Sequence, residues 1–292
     1  MPCMSASVKS TVLKSVTRRD LLLGGTAVAA AATLPRFAFA AAMKPSPIKL
    51  GIASYTFRQF KPDQVIEFMH QIKCPYLNLK DIHLPMTPLA DVPAKAKVYR
   101  DAGIELTDAG TIYFKVDTDE AVRPTFEYLK AAGIHKFVGS PTHEALPRVA
   151  KFLKEYDVRM GIHNHGPEDK EWPSPYDIEK VIRPMDKRVG WCIDFGHTLR
   201  SGTDPVAAIK MAGDRLYDVH IKDLAEKNVK ESQVAVGEGV MPIKGIFQAL
   251  IDIKYKYFVD LEYEIHGDDP MPGVIKSFAS MRKTLAEMGY SA

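Results

Sequence analysis

Strand-like and helix-like segments alternate from residue 47 onward, and this alternation limits the available folds more than any other feature of the chain. Short apolar runs predict strands, and 3.6-residue periodicity between them predicts helices. The predicted strands are Ile48–Tyr55, Tyr76–Lys80, Glu105–Thr111, His135–Ser140, Arg159–His163, Gly190–Asp194, Leu216–His220 and Tyr257–Glu262. The predicted helices are Pro62–Ile72, Ala94–Ala102, Asp117–Ala132, Glu144–Tyr156, Pro175–Arg183, Pro205–Ala212, Ile243–Ile253 and Gly273–Met288.

Eight strand–helix units predict an α/β fold in which parallel strands close into a single-domain (β/α)8 TIM barrel over residues 47–292. This number of units in ~250 residues is typical of such barrels. A doubly wound open sheet is the alternative, but it commonly carries a glycine-rich phosphate loop after its first strand. The residues Ile52–Tyr55 at that point contain no glycine. The closed barrel is therefore the preferred prediction.

The first forty residues have the pattern of a signal peptide rather than of a barrel. Basic residues lead into the apolar run Leu21–Leu34, which is followed by the small-residue cleavage pattern Ala38–Ala40. The pair Arg18 and Arg19 before that run is typical of a twin-arginine signal. The apolar run is shorter than the ~20 residues that span a bilayer. Residues 1–40 are therefore expected to engage the twin-arginine export machinery, leaving a periplasmic or otherwise exported mature chain without a membrane span.

Charge and cysteine content exclude two further classes of protein. Residues 1–40 contain five basic residues and one acidic residue, so the net charge falls from +3 for the whole chain to −1 for the remainder. Such a chain lacks the clustered positive charge that binds nucleic acid, and no nucleic-acid partner is expected. Cys3 lies in the predicted signal, while Cys74 precedes a predicted strand and Cys192 lies inside one. A disulfide is not expected.

Metal-binding residue types stand at the ends of the last four predicted strands. His163 ends the fifth strand, Asp194 the sixth, His220 the seventh and Glu262 the eighth. Right-handed parallel crossovers bring strand ends to one edge of a sheet, and α/β barrels carry their chemistry at the C-terminal edge. These four side chains are therefore predicted to meet.

Four short motifs follow the same strands, and together they resemble a known family. They are His163-Asn164-His165-Gly166-Pro167-Glu168-Asp169, Asp194-Phe195-Gly196-His197, His220-Ile221-Lys222-Asp223 and Glu262-Tyr263-Glu264. Over residues 47–292 the chain resembles the xylose-isomerase-like barrels described as sugar phosphate isomerases and epimerases, whose relatives include ketose 3-epimerases and the endonuclease IV group. The resemblance implies one divalent metal held by Glu, Asp, His and Glu from strands five to eight, with both Glu residues moving protons.

Asp194, His220 and Glu262 match three of those four positions, but His163 stands in place of the first Glu. Some members of the wider superfamily have His-x-His at this point, so His163 is retained as a predicted ligand, although a second carboxylate base is missing. Two imidazoles and two carboxylates form a borderline donor set. Mn²⁺ is expected first, with Zn²⁺, Co²⁺ or Fe²⁺ as alternatives.

Further residues near these strand ends are candidates for catalysis and substrate binding. Besides Glu262 as a base, Lys222 and His165 are predicted to be catalytic, because Lys222 shares a strand face with His220 and His165 lies two residues beyond a ligand. The predicted substrate-binding residues are Tyr55, Lys80, His197 and Glu264. Each is also compatible with an ordinary surface, rim or core role, since polar residues commonly follow strands.

The predicted chemistry is removal of a carbon-bound proton next to the carbonyl of a sugar or keto-sugar, giving an enediolate. A metal-dependent isomerase or epimerase is named first because the resemblance implies it. A lyase or hydratase that acts on 3-keto-glycosides by β-elimination is the runner-up, because Glu262 is the one matched carboxylate base. A noncatalytic sugar-binding barrel and an endonuclease IV-like nuclease are further alternatives, and the net charge of −1 and the export signal disfavour the nuclease. The oligomeric state stays open, with a homo-oligomer compatible with the sequence.

Export gives the first testable prediction. Replacing Arg18 and Arg19 together by Lys should abolish export, because the twin-arginine machinery recognises that pair. Cell fractionation followed by N-terminal sequencing measures the outcome, and the wild-type mature protein should begin near Ala41. Normal export of the double variant would show that the signal is of another type.

Overall fold

A nearly closed barrel of parallel strands, surrounded by helices, forms the body of the chain. The computed structural model describes residues 43–291, and the predicted signal peptide lies outside these described residues. The barrel strands are β1 (Lys49–Ala53), β2 (Tyr76–Leu79), β3 (Glu105–Ala109), β4 (Ile112–Phe114), β5 (Lys136–Pro141), β6 (Arg159–His163), β7 (Val189–Asp194), β8 (Leu216–Ile221) and β9 (Phe258–Leu261).

The strands pair in parallel in the order β3-β2-β1-β9-β8-β7-β6-β5-β4, which confirms the barrel prediction. The third predicted strand is divided into β3, which pairs with β2, and β4, which pairs with β5. Gly110 stands at the break with φ 140°, and a Cβ there would lie 2.3 Å from the carbonyl oxygen of Val138. The chain can turn here because glycine tolerates both the positive φ and the close approach.

Helices follow the strands close to the predicted positions. They are α1 (Pro62–Gln71), α2 (Val92–Asp101), α3 (Asp119–Ala132), α4 (Leu146–Tyr156), α5 (Pro175–Ile182), α6 (Phe195–Arg200), α7 (Pro205–Ala212), α8 (Ile243–Asp252) and α9 (Met271–Glu287). Short pairs of two-residue strands join Lys44–Pro45 to Tyr290–Ser291 and Asp223–Leu224 to Gln233–Val234. Among the helices that the structure describes, none is long and apolar enough to cross a membrane.

Besides the division of the third predicted strand, two local features differ from the prediction. Helix α6 begins directly after Asp194, whose side-chain oxygen accepts a hydrogen bond from the backbone N–H of His197 at 2.8 Å. An Asp at this position is a favourable N-cap, but a six-residue helix is too short to show a 3.6-residue period. The first strand ends at Ala53, and Tyr55 lies in a single 3₁₀ turn, so the prediction that Tyr55 ends the strand is wrong.

The apolar core lies mainly between the strands and the surrounding helices. Helix α4 buries Leu146, Val149, Phe152 and Leu153, the i, i+3 and i+4 spacing of a helix that covers one side of a sheet. All six residues of β8 are buried, as expected for a parallel strand that is covered on both faces. Cys74 and Cys192 are also buried and carry free thiols.

The inside of the barrel contains a buried group of charged residues, Asp108, Lys136, Asp218 and Asp260, here called the interior polar layer. The three carboxylates approach one another within 4.8 Å, and the Lys136 ammonium forms an ion pair with Asp108. Burial, together with the negative charge of Asp218, raises the pKa of Asp108 and of Asp260 well above its usual range. Because Asp218 and Asp260 precede His220 and Glu262 by two residues, strand alternation places this layer directly beneath the strand ends.

A substitution at Gly51 would test how tightly the interior polar layer is packed. A Cβ at Gly51 would lie 1.9 Å from Oδ1 of Asp260 and 3.3 Å from the backbone oxygen of Tyr76. Gly51→Ala should therefore lower the free energy of unfolding by about 1–3 kcal/mol, as measured by urea denaturation. The control is Gly245→Ala in helix α8, where the nearest atom to a new Cβ is 3.4 Å away. That change should be neutral or stabilising, and equal stability of the two variants would contradict the described position of Asp260.

Candidate metal centre

The four predicted metal ligands meet at the C-terminal ends of four neighbouring strands. His163 ends β6, Asp194 ends β7, His220 lies near the end of β8 and Glu262 follows β9. One ligand atom from each residue lies within 4.8 Å of the others. The separations are 3.1 Å from His163 Nε2 to His220 Nδ1, 3.2 Å from His220 Nδ1 to Glu262 Oε2, and 3.7 Å from His163 Nε2 to Asp194 Oδ2.

These residues fit a single divalent ion. Atoms that share an ion at about 2.0–2.2 Å lie roughly 3–3.7 Å apart, and the three separations given above fall in this range. Oδ2 of Asp194 is buried and accepts no hydrogen bond from the part of the chain that the structure describes. The Lys222 ammonium lies 2.9 Å from this oxygen without hydrogen-bond geometry, so the lone pairs of the oxygen stay free to bind a metal ion. The donor set, two imidazoles and two carboxylates, suits Mn²⁺, Zn²⁺, Fe²⁺ or Co²⁺.

Lys222 places a positive charge against the carboxylates of the site. Its Nζ lies 2.9 Å from Glu262 Oε2, 2.7 Å from Glu264 Oε2 and 2.9 Å from Asp194 Oδ2, the last without hydrogen-bond geometry. Burial lowers the pKa of Lys222, but the charges of Asp194, Glu262 and Glu264 outweigh it and raise the pKa well above its usual range. For Glu262 burial raises the pKa, yet Lys222 and His220 hold it well below its usual range. Glu262 is therefore ionised at neutral pH.

The histidines differ in charge. Burial lowers the pKa of His163 well below its usual range and also lowers the pKa values of His165 and His197. Burial acts the same way on His220, but the negative charge of Glu262 outweighs it and raises the pKa of His220 to about 9. A metal ligand must be deprotonated, so His220 would release a proton when a metal binds.

Two buried residues beneath the ligands escaped sequence analysis. Asn78 Nδ2 donates to Asp218 Oδ2 at 2.9 Å and lies 3.3 Å from His220 Nε2. Asp218 Oδ2 is 3.8 Å from the same nitrogen. The pair therefore contacts the side of the His220 ring opposite to Glu262, a position from which outer-shell groups orient a ligating histidine. The available signal was spacing, since Asp218 precedes His220 by two residues and so shares its strand face.

A cavity of about 330 Å³ opens above the ligands. Its lining residues are Tyr55, Lys80, Thr111, Tyr113, His163, His165, His197, Glu262 and Glu264. All four predicted substrate-binding residues and the predicted catalytic residues Glu262 and His165 lie there, whereas Lys222 does not line the cavity and contacts it through Glu262 and Glu264. Thr111 and Tyr113 were not predicted, because they reach the cavity through the break between β3 and β4. The chemical roles of these residues stay predictions.

Several polar side chains that line the cavity contact one another or the backbone. The ring of Tyr113 stacks on that of His165 with centroids 5.7 Å apart, and its hydroxyl lies 3.2 Å from His165 Nε2. Lys80 Nζ donates to the backbone oxygen of Thr111, and burial lowers the pKa of Lys80. A larger cavity of about 580 Å³, which includes Arg159 and Leu216, lies at the opposite ends of the strands. It contains none of the predicted ligands, so we assign the site to the smaller cavity.

The second half of the barrel matches a known family. Residues 142–284 match the family model described as xylose isomerase-like TIM barrel, which includes His163, Asp194, His220 and Glu262. Inosose dehydratase of Clostridium tetani is 25% identical over 155 residues, which cover 46% of this chain and 50% of that protein. The chain thus spans about half the length of the curated relatives it matches.

Solved structures show the same fold over most of the chain. The IOLI protein with a binding zinc atom has a TM-score of 0.68 and 14% identity, covering 84% of this chain and 100% of its own. D-psicose 3-epimerase in the presence of D-fructose has a TM-score of 0.62 and 18% identity, covering 82% and 98%. At these identities the likeness shows the fold alone.

Removal of single ligands tests the metal centre. His220→Ala and Asp194→Ala should each weaken Mn²⁺ binding by more than ~100-fold, since even the loss of an outer-shell partner costs 10–100-fold. Calorimetric titration of chelator-treated protein measures the affinity. The matched control is His143→Ala, which removes a half-exposed imidazole that packs on Trp172 outside the cavity. Unchanged affinity in either ligand variant would exclude that residue from the centre.

Proposed function

We propose that this chain, with its xylose isomerase-like barrel over residues 142–284, is a metal-dependent enzyme that removes the proton beside the carbonyl of a polyol ketone and then eliminates a β-substituent. One observation carries the proposal. Of the four clustered ligands, Glu262 is the one carboxylate that also lines the cavity. At the end of β6, where the family resemblance implies a second Glu, the chain has the imidazole of His163. An elimination needs one carbon base, whereas a symmetrical epimerase needs two.

The curated relatives support this order of preference. The Clostridium tetani relative is named an inosose dehydratase, and dehydration of an inosose is loss of water from a cyclic polyol ketone. The family resemblance in the sequence favoured an isomerase or epimerase over a lyase. We now place elimination first because of the single cavity-lining carboxylate ligand and the name of this relative. The zinc atom in the IOLI protein supports a borderline divalent ion, with Mn²⁺ or Zn²⁺ as the first candidates.

The residues of the site have complementary tasks. A divalent ion held by His163, Asp194, His220 and Glu262 would polarise the substrate carbonyl and acidify the neighbouring C–H bond. Glu262, ionised and exposed to the cavity, accepts the proton. Lys222 holds that carboxylate in place through its 2.9 Å contact and keeps it charged. Tyr55 and Tyr113 provide aromatic surface against the C–H faces of a sugar ring.

The cavity lining favours an unphosphorylated substrate. It contains no arginine among the residues that the structure describes, and arginine is the residue best suited to bidentate phosphate binding. Keto-cyclitols and 3-keto-glycosides share the required unit, a ketone with an acidic α-hydrogen and an oxygen substituent on the β-carbon. We therefore propose this substrate class, with export through residues 1–40 as a separate proposal.

An isomerase or epimerase is the second candidate, and one observation favours it. Lys80 lines the same cavity, and burial lowers its pKa, so its amine is better suited than an exposed lysine to carry a proton. His165 offers a second nitrogen base in the same space. Either group could return a proton to carbon in place of the missing carboxylate.

Glu262→Gln tests the proposed base. The amide oxygen can remain a ligand, so much of the Mn²⁺ affinity should persist, while turnover should fall by the ~10²–10⁴ expected of a missing general base. The assay incubates Mn²⁺-loaded protein with keto-cyclitols and 3-keto-glycosides in deuterium oxide and follows loss of the β-substituent by mass spectrometry. The control is Glu171→Gln, a partly exposed carboxylate outside the cavity that accepts a hydrogen bond from the backbone N–H of His143.

Each result separates the alternatives. Elimination in the wild type and its loss in Glu262→Gln support the proposal. Carbon-bound deuterium without loss of a substituent would favour the isomerase or epimerase. Near-normal turnover of Glu262→Gln would mean that Glu262 is at most a ligand and that His165, His197 or Lys222 moves the proton. Neither exchange nor elimination on any of these ketones would contradict the proposed chemistry and favour a sugar-binding barrel.

A further inference from the structure

Helix α6 carries two residues whose side chains meet at the edge of the cavity. His197 and Arg200 are three positions apart, the spacing that places side chains on one side of a helix. Nη1 of Arg200 lies 3.1 Å from Nδ1 of His197. The Arg200 side chain is only 4% exposed, and its Nη2 forms an ion pair with Glu168 in the loop after β6. The guanidinium is therefore buried, while its ion-pair partner Glu168 is half exposed.

The contact with Arg200 determines which nitrogen of the His197 imidazole carries the proton. A guanidinium group has five N–H donors, no acceptor, and does not lose its charge in proteins. The partner nitrogen, Nδ1 of His197, must therefore accept, and the ring proton must lie on Nε2. Within residues 43–291 Nε2 has no hydrogen-bond partner, and the ring lines the cavity. The ring thus directs an N–H donor toward the substrate space.

We propose that Arg200 is a positioning residue, which holds His197 in the Nε2–H tautomer so that His197 donates a hydrogen bond to an oxygen of the substrate. In the proposed elimination that oxygen belongs to the departing β-substituent or to a neighbouring hydroxyl. Only the identity of this oxygen rests on the proposed function. The tautomer is a property of the protein itself.

The loop at Gly166 and the backbone of His197 lie close to the contact between His197 and Arg200. Gly166 passes over the pair with φ +91°, and a Cβ there would lie 3.0 Å from Arg200 Nη1 and 3.3 Å from His197 Nδ1. The backbone N–H of His197 donates to Oδ1 of Asp194, which ties the base of the ring to a predicted metal ligand. The His197 backbone is therefore fixed beside a predicted metal ligand, and the loop at Gly166 lies close to the ring.

His165 lacks such a constraint. Its Nε2 faces the Tyr113 hydroxyl at 3.2 Å, and a hydroxyl can donate or accept. Its Nδ1 lies 3.3 Å from Asp169 Oδ2 without forming a hydrogen bond. The hydroxyl fixes neither tautomer of His165, and the Asp169 carboxylate, which can only accept, forms no hydrogen bond that would fix a proton on Nδ1. Of these two cavity histidines, only His197 has a neighbour that can act solely as a donor.

The experiment is nitrogen-15 NMR of the mature protein loaded with diamagnetic Zn²⁺, with the His197 signals assigned by their loss in His197→Gln. The wild type should show an unprotonated Nδ1 and a protonated Nε2. Arg200→Lys keeps a cationic donor and should retain this pattern, whereas Arg200→Met should give a mixture of tautomers. A protonated Nδ1 in the wild type, or an unchanged pattern in Arg200→Met, overturns the proposal.

Kinetics supply a second readout that a purely structural role would not reproduce. Arg200→Met should lower kcat/KM by roughly tenfold, the size of one lost hydrogen bond, and Arg200→Lys should restore most of it. The amide of His197→Gln carries its own donor, so in that background the loss of Arg200 should cost little. An equal loss in both backgrounds contradicts the positioning role. If the NMR pattern holds but no polyol ketone reacts, the proposed function fails and the tautomer assignment stands.

Discussion

The site depends on one electrostatic requirement, which is that buried carboxylates need positive charge beside them. Asp194 and Glu262 are almost completely excluded from solvent, and an isolated charge in such a place is strongly unfavourable. Lys222 and the protonated form of His220 supply part of the compensation, and the donor geometry leaves room for a divalent ion. Parallel closure of the barrel makes this arrangement available, because it brings four consecutive strand ends to a common centre.

The same requirement shapes the interior below the site. Barrel interiors are usually filled with branched apolar side chains, yet here Asp108, Asp218 and Asp260 share the space with Lys136. Burial shifts Asp108 and Asp260 toward their neutral forms, which lowers the cost of placing three carboxylates together. Asp218 of this layer, together with Asn78, lies against the ring of His220 near the C-terminal ends of the strands. The interior polar layer is thus in direct contact with a predicted metal ligand.

Much of this architecture could be predicted from the sequence, because the strand-to-helix alternation is regular and the ligands stand at the strand ends. His163, Asp194, His220 and Glu262 required no knowledge of packing beyond a closed parallel barrel. Other features depended on contacts between distant segments. The break at Gly110 follows from its approach to Val138, and the contact of Arg200 with His197 requires a six-residue helix without a visible period. Asp218 and Asp260 precede predicted ligands by two residues, but Asp108 and Lys136 carried no such signal of a common location inside the barrel.

The most direct test of the account is X-ray diffraction from Mn²⁺-soaked crystals, recorded at wavelengths on both sides of the manganese absorption edge. The account predicts one anomalous peak per chain, about 2.0–2.3 Å from nitrogen atoms of His163 and His220 and oxygen atoms of Asp194 and Glu262. The Lys222 ammonium should remain beside Glu264. A fully loaded protein whose only peak lies away from these four residues, or whose four residues stay metal-free at saturating Mn²⁺, would contradict the central claim.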